Sequence, residues 1–157
     1  MYNEWGVVYD ISRNVKVLSI DNPANLYVYT LDSVRVKINF ETKDTTLLFV
    51  FNPECYLCII QLNELLENYQ LFQDFGIYLL SDQGIPNLIE FVKAYNMKNY
   101  PNINVVKIDV YNTDDQFIDS PNPSVFAYRK GNKLIYFKKG FSDPKMLLKE
   151  IRSAHED

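Results

Sequence analysis

The sequence predicts an α/β protein in which a mixed β-sheet is covered by helices. Three observations predict it. Thr45-Thr-Leu-Leu-Phe-Val-Phe51 is a continuous apolar run, the pattern of a strand buried on both faces. Immediately after it the hydrophobic period switches to a helical one, with Ile59, Leu62, Leu65, Leu66 and Tyr69 spaced three and four apart. The chain then closes on a hairpin followed by an amphipathic helix. At 157 residues the length suits one domain, which would bury roughly 70% of its unfolded surface.

The elements follow in order. Short runs rich in Val, Tyr and Ile occupy Gly6–Ile11, Val15–Ile20, Leu26–Thr30 and Val34–Phe40. Asp21-Asn22-Pro23 and Leu31-Asp32-Ser33 break them as turn signals, and Leu26–Thr30 with Val34–Phe40 alternates as an N-terminal β-hairpin. After the central strand and its helix, Gly76–Leu80 reads as another short strand. Pro86 opens a helix whose apolar stripe is Leu88, Phe91, Val92 and Tyr95. Asn104–Val110 is a further strand, followed by a polar turn at Asn112–Asp115, by Phe117 and Ile118, and by the breaker Ser120-Pro-Asn-Pro-Ser124. Val125–Tyr128 and Leu134–Phe137 flank Arg129-Lys-Gly-Asn-Lys133, a hairpin with Gly-Asn turn chemistry. Ser142-Asp-Pro144 starts a final helix, packed through Met146, Leu147 and Ile151. There is no repeat and no linker, so residues 1–157 read as a single domain, with 1–43 a β extension on a core of 44–154.

Composition excludes several functions. A net charge of −4 lacks the basic field that nucleic acid or an anionic membrane surface demands. No apolar run approaches the roughly 18 residues of a membrane span. The one histidine, His155, lies in a polar tail and reads as solvated, which removes Ser-His-Asp and Cys-His catalysis and His-rich metal sites. Five glycines and no phosphate-loop motif leave no nucleotide cradle. The opening MYNEWGVVYD has no basic start and no apolar stretch, so it is not a signal peptide. A cytoplasmic chain and an exported chain that has lost its leader both fit that opening.

The two cysteines, Cys55 and Cys58, carry the chemistry. They fall where strand gives way to helix, over Asn52-Pro-Glu-Cys-Tyr-Leu-Cys58, with Cys55 in the first turn and Cys58 one turn further in. Positions i and i+3 share a helix face and lie close enough for a disulfide. The first sulfur faces unpaired N–H groups and the positive end of the helix dipole, which favour thiolate; the second is more shielded. Cys55 would attack a substrate disulfide and Cys58 would resolve the mixed disulfide, with no metal or organic cofactor required. Two other readings compete. Zinc wants four ligands, and the chain offers no second cysteine pair. An inert disulfide over so small a loop would stabilise little.

Strand, CxxC at a helix start, then a late X-Pro ahead of a hairpin and terminal helix resembles the thioredoxin superfamily. The added N-terminal strands, the Phe91-Val-Lys-Ala-Tyr95 helix and the segment before Asn122-Pro123 are similar to its TlpA-like, redoxin-domain branch. FVFNPECYLC and NPSVFAYRKGNKLIYFKKG look most like extracytoplasmic proteins of Bacteroidetes-type bacteria. The resemblance covers Tyr27 to Ile151. It implies a thioredoxin-like fold and a thiol–disulfide oxidoreductase with Cys55 as nucleophile and Cys58 as resolving residue. The Cys55–Cys58 disulfide would be its only redox centre. It implies a cis Pro123, with Asn122 pairing to an extended substrate segment. Partners would be protein thiols or disulfides and an upstream redox protein, in a periplasm or cell envelope.

Departures from the family also shape the expectation. Glu54 stands where many members have Trp, and Tyr56-Leu57 replaces the common Gly-Pro. Phe49 occupies the place of a buried acid, and Gln61 the place where TlpA-like proteins often have Glu. Glu54, Tyr56, Leu57 and Gln61 are therefore candidate modulators. A carboxylate at Glu54 partly offsets the helix dipole, so the expected Cys55 pKa is only modestly lowered, which suits a reductant. A peroxiredoxin would need Thr or Ser at Asn52 and Pro at Leu48 and has neither. A thioredoxin-like module that binds a partner without turnover is the alternative from another class.

Overall fold

Thr45–Val50 forms the central strand β3, and all six of its residues are buried. The computed structural model describes residues 26–111, 113, 117 and 121–156, with side chains as far as Ala154. Within these, β3 lies parallel to β4 (Gly76–Ser81), and β4 parallel to β5 (Ile103–Ile108). On its other side β3 pairs antiparallel with β6 (Ser124–Arg129), which continues into β7 (Lys133–Lys139). β1 (Tyr27–Tyr29) and β2 (Arg35–Lys37) make an antiparallel hairpin whose first strand docks on β5. The order is β2-β1-β5-β4-β3-β6-β7, a mixed sheet of seven strands among the described residues.

Alternation along β3 separates two cores. Leu47, Phe49 and Phe51 face the helices α1 (Tyr56–Glu67), α2 (Ile85–Ala94) and α3 (Pro144–Glu156), meeting Leu62, Leu65, Leu88, Phe91, Leu147 and Ile151. Leu48 and Val50 face the other way, into Leu26, Ile38, Phe40, Phe117, Phe126 and Tyr128. A period of two delivers one strand to both layers, which is why Leu47 to Phe51 carries no polar residue. The N-terminal hairpin is tied to the end of β5 by Arg35, whose Nε meets Asp109 Oδ2 at 3.0 Å while its guanidinium lies 4.1 Å over the Tyr27 ring.

The α/β class and the N-terminal hairpin agree with the sequence pattern; several boundaries differ. α1 starts at Tyr56 rather than Cys55 and ends at Glu67, so Tyr69 belongs to a separate 3-10 turn, Tyr69–Phe72. Asn68 causes the break: its side-chain amide and its own N–H both turn back onto the Glu64 carbonyl. Pro86 is the second residue of α2, behind Ile85. The start of α3 is as expected: Asp143 caps it, its carboxylate accepting the Met146 N–H at 3.1 Å, with Pro144 as first helical residue. Gly131 and Asn132 both take positive φ in the β6–β7 turn, as a tight hairpin of the right twist requires. The expected strands Gly6–Ile11 and Val15–Ile20, most of the Asn112–Asp115 turn, Ile118, Ser120 and the His155 side chain lie outside the described residues.

Candidate active site

Register builds the site. Val50, the last residue of β3, pairs with Ser124, the first of β6, so the chain leaving one strand runs beside the chain entering the other. On the departing side, Asn52-Pro53-Glu54 turns sharply: Asn52 Oδ1 accepts the Glu54 N–H at 2.9 Å, and the Asn52 carbonyl accepts the Cys55 N–H at 3.0 Å. On the entering side the Asn122–Pro123 peptide is cis. Pro123 is buried, its carbonyl taking the Gly140 N–H at 2.8 Å, while Asn122 is exposed.

Cys55 is therefore the N-cap of α1, with extended backbone, rather than a residue of its first turn. Its sulfur accepts the Cys58 N–H at 3.4 Å and its thiol donates to the Asn122 carbonyl at 3.5 Å. A side chain in this position fills the place of an Asp or Ser cap, facing the open N–H groups of the helix. Both cysteines are free thiols, Cys55 half-buried and Cys58 only 2% exposed. Burial pushes the Cys58 thiol up to about 12; the Asn52 N–H, 3.5 Å from its sulfur, pulls the other way, and Cys55 adds to the rise. Cys58 thus holds its proton at neutral pH, and the sulfur open to solvent is Cys55.

The remaining candidates divide. Glu54, Tyr56 and Leu57 surround Cys55 on the exposed side. Gln61 is buried and engaged elsewhere: its Nε2 donates to the Ser142 carbonyl at 2.8 Å, and its Oε1 accepts the Ser142 N–H at 2.7 Å. Its amide joins α1 to the start of α3. Two further residues act at or near the site, and only one of them carries a signal in the sequence. Ser142 lies 81 positions from Gln61, and no local pattern links them. Asn52 does have a signal, since Asn-Pro is a turn dipeptide whose side chain can close the turn itself. Among the described residues, no group of three or more His, Cys, Asp or Glu gathers as a metal site, and no helix is long and apolar enough to cross a membrane.

No family model matches the chain, and no curated protein sequence does. Solved structures do match. A secreted Mycobacterium tuberculosis disulfide oxidoreductase homologous to E. coli DsbE superposes with a TM-score of 0.64 at 12% identity, over 83% of this chain and 96% of that one. The pneumococcal exposed lipoprotein thioredoxin Etrx1 from Streptococcus pneumoniae gives 0.62 at 16% identity, over 83% and 99%. A peroxiredoxin-like protein from Aquifex aeolicus gives 0.63 at 11% identity, over 82% of each chain. The fold is that of the thioredoxin and redoxin proteins, and it carries a closely spaced pair of free thiols, Cys55 and Cys58, at the start of α1.

Proposed function

We propose that the protein is a TlpA-like thiol–disulfide oxidoreductase that reduces protein disulfides through the Cys55–Cys58 dithiol. The observation that carries this is the asymmetry of the pair: one sulfur at a helix cap and open to solvent, its partner buried and protonated three residues on. Cys55, as thiolate, attacks one sulfur of a substrate disulfide. A Cys55–substrate bond forms, the substrate S–S bond breaks, and the released sulfur leaves with the electron pair and takes a proton. Cys58 then gives up its proton to solvent and attacks Cys55. The Cys55–Cys58 bond forms, the second substrate sulfur leaves as thiolate and is protonated. Two electrons have passed to the substrate and the protein is left oxidised, to be re-reduced by an upstream dithiol.

The exposed Asn122, beside Cys55, is the place where an extended substrate segment would lie. The secreted and surface-exposed settings of two structural neighbours support an extracytoplasmic location. Insulin reduction with a small thiol as electron source tests the activity. Wild type should accelerate precipitation of the insulin B chain, and Cys55→Ser should return it to the uncatalysed rate. Absence of acceleration by wild type would leave a thioredoxin-like binding module.

A further inference from the structure

One residue between β3 and α1 makes a bond to each part of the dithiol site. Asn52 Oδ1 holds the Glu54 N–H at 2.9 Å, the Asn52 carbonyl holds the Cys55 N–H at 3.0 Å, and the Asn52 N–H points at Cys58 Sγ from 3.5 Å. The side-chain bond has a specific task. Pro53 has no N–H, so the first amide able to close this turn is that of Glu54, and the Asn52 side chain takes it.

We propose that Asn52 is a positioning residue for the resolving cysteine: its side chain locks the turn so that its backbone N–H stays on Cys58 Sγ as that sulfur acquires charge. This rests on reading Cys55 and Cys58 as a working couple. Resolution requires Cys58 to lose its proton to solvent and attack Cys55, forming the Cys55–Cys58 bond and expelling the substrate sulfur with its electron pair. Charge therefore develops on the sulfur of a residue that is 2% exposed, where water solvates it poorly. An aligned N–H is worth most in such a place, because hydrogen bonds to charged groups are stronger than neutral ones. The direction in which the Asn52 N–H moves the Cys58 thiol agrees with this.

Ellman's disulfide separates the steps, since attack by Cys55 releases the first coloured thiolate and resolution by Cys58 the second. In Asn52→Ala the second release should slow by roughly three- to ten-fold, the worth of one such bond, with its pH profile displaced to alkaline. The first release should keep its wild-type rate, and Asn52→Ser, whose hydroxyl closes the turn more weakly, should recover part of the loss. A second release at the wild-type rate overturns the proposal, and so does an equal slowing of both steps without displacement in pH. Alkylation of Cys58 by iodoacetamide in a Cys55→Ser background reads the same bond without any turnover. Adding Asn52→Ala should slow it, whereas mere loosening of the loop would expose the sulfur and speed it. If wild type releases neither thiolate, the oxidoreductase reading fails and the alkylation comparison still decides the role of Asn52. Should Asn52→Ala not fold, Asn52→Ser must show a smaller shift of the same sign.

Discussion

Cys58 sits in the helix-facing core with Leu62, Phe51 and Phe49, and its thiol is part of that packing. A buried sulfhydryl behaves as a small apolar group; a buried thiolate does not. Its folded-state pKa, about 12, lies above the ordinary thiol value that it regains on unfolding. Between those two values the folded state therefore holds the proton that the unfolded state has released, and stability falls as pH rises. Below that window the folded protein carries no such penalty. Urea unfolding of the reduced protein at a series of alkaline pH values should show this decline, starting near the ordinary thiol range. The slope should be smaller in Cys58→Ala, whatever that variant loses in packing, because Tyr and Lys titration is common to both. Equal slopes would mean that Cys58 is not held as a buried thiol.

At the scale of elements, local signals were strong and long-range ones silent. The uninterrupted apolar run of Thr45–Val50, the period change after Cys55 and the Gly131-Asn132 turn each follow from chemistry within a few residues, and each is legible in the sequence. The same holds for the Cys55–Cys58 spacing, and the Asn122-Pro123 segment could be picked out ahead of β6. The end of α1 is less legible, because Asn68 decides it by a side-chain bond that competes with equally plausible neighbours, whereas Pro144 marks the start of α3 as expected. The join of α1 to α3 was not legible at all. Gln61 looks in sequence like a polar residue of the redox helix, and only folding brings it to Ser142. That pair should be structural in its energetics. Gln61→Leu leaves the buried Ser142 N–H and carbonyl without the amide that satisfies both, at about 1–3 kcal/mol for each group. Urea denaturation should thus show a loss of about 2–6 kcal/mol, and a change below about 0.5 kcal/mol would mean that the two helices are held by apolar packing alone.

Across the whole molecule, the parallel strands β3 and β4 and the antiparallel entry to β6 bring their loops to one end of the sheet, and the dithiol is displayed there. Strand order, which periodicity alone does not fix, is what sets Asn122 against Cys55. Two large apolar side chains stand exposed beside the open sulfur: Tyr56 is 78% exposed and Leu57 49% exposed, both on the first turn of α1, with Asn122 across from them. Side chains so placed gain nothing for the free protein, but under the proposed function they would be covered by a polypeptide whose disulfide is being attacked. A small disulfide has no surface to cover them with. Replacing both by Ser should therefore lower kcat/KM for insulin about ten-fold, in keeping with the loss of an aromatic contact at an interface. Attack on Ellman's disulfide by the same variant should change by less than about two-fold, because that step needs only the sulfur and the helix cap. Parallel losses on both substrates would place Tyr56 and Leu57 in the support of Cys55 itself rather than in contact with the substrate chain.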